Sequence, residues 1–93
     1  MNTMAAMRPA AHVAVADMEG EAVLLNISTG VYFSLNQVAA RIWRLIAHGS
    51  SVDAIVQTLM DEFDVGEERL RGDVAETIHQ LSAHGLIDVA RAS

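Results

Sequence analysis

The sequence predicts a winged-helix-like α+β domain, a three-stranded antiparallel sheet followed by three helices. Three observations lead there. Branched and aromatic apolar residues alternate or cluster in short runs over residues 12–35, separated by glycine-containing turns. Apolar residues then recur at helical spacing in three successive stretches between residues 38 and 81. A capping residue or a terminating glycine stands between these stretches. The length of 93 residues allows one domain, and 52% hydrophobic residues suffice for one modest core.

Taken in order, MNTMAAMRPAAH lacks a long apolar run and reads as a loose tail over residues 1–11, not as a secretory signal. HVAVAD (12–17) alternates weakly and predicts a first strand. MEGE (18–21) is a turn in which Gly20 can take positive φ. AVLLNI (22–27) predicts the second strand, and STG (28–30) a short connection ending in glycine. VYFSL (31–35) is the third strand, with Val31, Phe33 and Leu35 on one face and Tyr32 and Ser34 on the other.

Asn36 is suited to cap a helix in which Val38, Ile42, Leu45 and Ile46 share a face, closed by Gly49. Trp43 lies beside that stripe and packs in the core. Ser50 and Ser51 can cap the second helix, with Asp53 completing a box-like spacing from Ser50. Its apolar residues run from Val52 to Phe63. The third helix spans about Glu67 to Ala83, with Leu70, Val74, Ile78 and Leu81 on one face and Gly85 after its end. Gly72 inside it costs about 1 kcal/mol against alanine. LIDVA (86–90) is a short extended tail, and residues 91–93 a second loose end.

Composition excludes several classes of function. Twelve acids face six bases, all of them arginine, for a net charge of −6. Nucleic-acid and anionic-membrane binding are therefore disfavoured. The third helix would carry Glu67, Glu68, Asp73 and Glu76 toward any DNA groove, against only Arg69 and Arg71. No run approaches the roughly 20 apolar residues of a membrane span. The absence of cysteine excludes disulfides and thiolate metal sites and fits a cytoplasmic protein. The histidines at 12, 48, 79 and 84 lack metal-ligand spacing, and no phosphate cradle or nucleophile elbow is present. No catalytic residue, cofactor or metal is expected, which points to a small binding module and not an enzyme.

One resemblance covers residues 13–89. It rests on Phe33, Leu35 and Asn36 as aromatic-x-Leu-Asn, on Ile42–Trp43, on Gly49, on Asp73–Val74 and on Gly85-Leu86-Ile87, in that order and spacing. In these the chain resembles the PqqD-like family, the precursor-recognition elements of pathways that make ribosomal, modified peptides. The resemblance implies a recognition domain over residues 12–90 with three strands and three helices. It implies that the leader segment of a precursor peptide adds as a strand beside the third strand, against the third helix. It also implies a separate processing enzyme, a lasso-peptide leader peptidase or a radical-SAM enzyme.

The expected peptide-binding residues are Val31, Tyr32, Phe33, Ser34 and Leu35 on the strand, and Leu70, Asp73, Val74 and Thr77 on the helix. Val31, Phe33, Leu35, Leu70 and Val74 are core positions as well, and Asp73 is spaced to pair with Arg69. An exposed edge strand also allows a homodimer. An acidic winged-helix regulator of DNA or of another protein is the alternative, and a structural subunit of an enzyme a third reading.

Overall fold

The computed structural model describes residues 5–91, ordered as β1 (Ala5–Pro9), β2 (Val13–Met18), β3 (Glu21–Asn26), β4 (Val31–Leu35), α1 (Gln37–Ala47), α2 (Val52–Glu62), α3 (Glu67–Ala83) and β5 (Ile87–Arg91). β2, β3 and β4 form the expected three-stranded antiparallel sheet, in that order, followed by three helices. Among the described residues no helix is long and apolar enough to cross a membrane.

Each turn has a local cause. The β2–β3 turn places both Glu19 (φ 48°) and Gly20 (φ 89°) at positive φ, as a two-residue turn between twisted strands requires. The β3–β4 connection is one residue longer than expected. Ile27 leaves the strand and is 63% exposed, because Asn26 folds its side chain back onto the loop. Asn36 caps α1 by accepting from the Ala39 N–H at 2.9 Å. At α2 the cap is Ser51, which accepts from the Ala54 N–H at 3.1 Å. α1 and α3 both end in a glycine at positive φ. After α3 the Leu86 N–H returns to the Leu81 carbonyl at 2.9 Å and the Gly85 N–H to that of Ser82 at 3.1 Å.

The core lies between the inner sheet face and the helices. Leu24 and Leu35 from the sheet meet Ile42, Ile46, Leu59 and Leu81, all nearly or fully buried. Trp43 joins them at 4% exposure, as its place beside the α1 stripe predicts. Ion pairs lock the layers from outside. Arg41 of α1 grips Glu62 of α2 through two hydrogen bonds of 2.8 and 2.7 Å. Arg71 of α3 joins Asp53 of α2 and Glu67, each at 3.0 Å.

The N-terminal segment departs from expectation. Residues 5–9 are not a loose tail: they pair antiparallel with 87–91, Ala5 opposite Arg91 and Pro9 opposite Ile87. The expected 86–90 tail is likewise paired, as the strand 87–91, which takes Arg91 out of the expected loose end at 91–93. The physical reason is that Met7 and Ile87 enter the core and the Ala10 N–H bonds the Leu86 carbonyl at 3.0 Å. AAMRP has no alternation that shows this, since its signal lies in a partner some eighty residues away. The expected loose ends at residues 1–4 and 92–93 lie outside the described residues.

Candidate functional site

In an antiparallel sheet the N–H and C=O of one residue point to the same neighbour, and successive residues alternate. Ile27 donates its N–H to the His12 carbonyl at 2.9 Å, so the odd-numbered residues of β3 face β2. The even ones, Ala22, Leu24 and Asn26, face β4 and meet Leu35, Phe33 and Val31. The backbone groups of Tyr32 and Ser34 therefore point to the far side of β4, where no strand lies among the described residues. Tyr32 and Ser34 carry an unsatisfied rung of a sheet.

α3 runs beside that edge in the opposite direction. Its C-terminal end meets the start of β4, where the Phe33 and His84 rings lie 4.8 Å apart. A cavity of about 550 Å³ opens there between His12, Thr29 and Val31 on one side and Ala83 and His84 on the other. A second, of about 350 Å³, opens at the far end between Asn36 and Ala39 of the α1 entry and Arg69, Asp73 and Thr77 of α3. Asp73, Thr77 and His84 fall on one helical face and span about 16 Å at the helix rise. β4 spans about the same length at the strand rise. The groove thus matches a single extended segment of about five residues.

The nine expected residues divide by their position. Val31 (45% exposed), the half-buried Phe33, Asp73 and Thr77 face the groove or its end cavities. Tyr32, 69% exposed, and Ser34 turn their side chains to the outer sheet face and only their backbone to the groove edge. Leu35, Leu70 and Val74 are at most 3% exposed and lie beneath the groove as core, so they offer a ligand no surface. Asp73 has Arg69 at 3.8 Å, a loose pair on an exposed face.

Two groove residues were not foreseen. Asn26 is the one buried polar side chain among the described residues, at 3% exposure. Its Oδ1 accepts from the N–H groups of Ser28 (3.0 Å) and Thr29 (3.3 Å), and its Nδ2 donates to the carbonyls of His84 (3.1 Å) and Gly85 (3.5 Å). One amide thus ties the β3–β4 hairpin to the end of α3 and sets the groove's width at that end. His84 was the other, and its signal was present: it continues the helical face of Asp73 and Thr77. Its Nδ1 lies 2.8 Å from the Gln80 carbonyl.

The perturbed titrations lie away from the groove. The hydrogen bonds from Arg41 hold the Glu62 carboxyl below its ordinary range, and Glu62 in turn raises Arg41. Hydrogen bonds to Asp53 and Glu67 raise Arg71. None of these groups lines either cavity. Among the described residues no three histidine, aspartate or glutamate side chains gather to hold a metal. What the arrangement offers is recognition of an extended chain: unpaired backbone groups, an apolar floor and a polar helix rim.

Known proteins share this architecture. One solved structure, TbiB1 in complex with the TbiA(beta) leader peptide, is 30% identical, with a TM-score of 0.82 over 87% of this chain and 94% of that one. A second, lasso peptide synthetase B1 complexed with the leader peptide, is 28% identical, with a TM-score of 0.81 over 88% of this chain and 96% of that one. No curated protein matches the chain. The family model for coenzyme PQQ synthesis protein D (PqqD) matches residues 21–87, from the start of β3 into β5, so the chain belongs to the PqqD family.

Proposed function

We propose that this chain is a non-catalytic adaptor. It binds the leader segment of a ribosomally made precursor peptide as a fourth strand on β4 and delivers it to a separate processing enzyme, a lasso-peptide leader peptidase in preference to the alternative partner, a radical-SAM enzyme. The observation that carries this is the unpaired backbone of Tyr32 and Ser34 beside a groove sized for one extended segment. That both solved neighbours hold leader peptides supports the same reading. The mechanism is tethering: a held leader raises the local concentration of the reactive segment at the enzyme. The compartment this implies is the cytoplasm.

The DNA-binding alternative finds little support in α3. Arg71 is already engaged by two carboxylates and Arg69 lies near Asp73, while Glu67, Glu68, Asp73 and Glu76 are exposed. Such a surface repels phosphate.

Amide hydrogen exchange with synthetic leader peptides tests the proposal. The expected result is slowed exchange at the Tyr32 and Ser34 amides and along the Asp73–His84 face of α3. Unchanged exchange at both amides with every leader tried, or binding to duplex DNA that weakens steeply with salt, overturns it.

A further inference from the structure

Among the described residues the sheet has a second free edge. β2 closes the sheet on the side away from β4. The alternation that frees Tyr32 and Ser34 also turns the N–H and C=O groups of Val13, Val15 and Asp17 away from β3. Beyond Val13, which packs against the core, the strand is exposed on both faces as well. Val15, on the core side, is 45% exposed, Met18 on the outer side is 51% exposed, and Ala14 and Ala16 are exposed between them.

Proteins blunt such an edge with lysine, proline or a bulge, or they cover it. VAVADM has no lysine or proline, and its register with β3 is unbroken. Its one charge, Asp17, is drawn aside by Arg44 at 2.6 Å.

We propose that β2 pairs antiparallel with β2 of a second copy about a twofold axis through Val15. The register follows from the alternation. Only residues with outward backbone groups can exchange both hydrogen bonds, so Val13, Val15 and Asp17 must meet one another. An axis at Val15 sets Val15 opposite the partner's Val15, and Val13 opposite the partner's Asp17, which satisfies all three. Moving the axis to Asp17 sets carboxylate against carboxylate and strands Val13 without a partner. At the chosen axis no like charges face each other, and on the outer face Ala14 meets the partner's Ala16, two small residues that let the strands approach.

Charge distribution selects the same surface. Eight of the twelve acids fall between residues 53 and 76, on α2, α3 and their connection, so a second copy of a −6 chain is repelled there. β2 itself brings one carboxylate, tethered to Arg44, with Glu19 and Glu21 following beyond its end at Met18. The resulting six-stranded sheet ends in β4 on both sides, with the two grooves about 24 Å apart at the usual strand spacing. Both grooves stay open, unlike in a dimer built through β4.

The test is sedimentation equilibrium on the full chain and on Val15→Pro and Val15→Lys, with amide exchange on each. The Val15 N–H faces outward, so proline there removes no bond of the protein's own sheet. Lysine would face its own copy across the axis. The expected result is a particle of twice the chain mass, concentration-dependent protection of the Val13, Val15 and Asp17 amides, and loss of the dimer in whichever variant keeps its native circular dichroism. A wild-type monomer up to millimolar concentration, a dimer protected at Tyr32 and Ser34 instead, or a folded variant that remains dimeric each overturns the proposal.

Discussion

Asn26 shows how much one residue holds. All four of its amide hydrogen bonds are used, two within its loop and two on the end of α3. Replacing it with leucine keeps the size and leaves four part-buried backbone groups without their partner. Asn26→Leu is expected to cost about 1–3 kcal/mol, measured by urea denaturation. Its importance was illegible in AVLLNI because its helix partners lie 58 and 59 positions away. The alternation of VYFSL, by contrast, was legible, and it makes a sharp prediction. Tyr32→Pro and Ser34→Pro remove N–H groups that face outward, so each should abolish leader binding in a protein that still folds. Phe33→Pro removes an N–H bonded to β3 and should unfold the sheet. Titration calorimetry and circular dichroism on the three variants check this, and equal behaviour of all three would overturn the register.

The helices and the central strands were readable because their apolar residues repeat along their own lengths. Periodicity could not tell a groove wall from a core face. Leu70 and Val74 sit on the stripe of α3 that packs inward, so the groove is lined by the neighbouring stripe of Asp73, Thr77 and His84. How helices hold each other is a matter of side chains from different elements, as in the Arg41–Glu62 clamp between α1 and α2. Because Arg41 lowers the folded-state pKa of Glu62, the clamp's contribution is present above the unfolded carboxyl pKa and lost as pH falls through the folded one. The pair is partly exposed, at 35% and 37%, so screening limits it to less than about 1 kcal/mol. Glu62→Gln should lower the denaturation midpoint at neutral pH and make no difference in acid, below both carboxyl pKa values. A deficit that persists unchanged in acid would show that packing, not charge, is lost.

At the scale of the molecule the first and last described strands are joined. β1 and β5 form a ribbon apart from the main sheet, and Leu86 and Ile87 carry it directly from the α3 terminus into the core. The ribbon thus braces the same end of α3 that Asn26 holds against the hairpin. Met7 of β1 is buried, at 9% exposure, and belongs to the same core cluster as Leu81 and Leu86. If β1 were a loose tail, truncating Met7 would change nothing. With the strand paired, Met7→Ala leaves a cavity under α1 and the ribbon and should cost about 2 kcal/mol. For a domain of this size that lowers Tm by roughly 10 °C. Calorimetry distinguishes the two. The loss should also speed amide exchange at Val89, opposite Met7 in the ribbon, more than at Leu24 in the central strand.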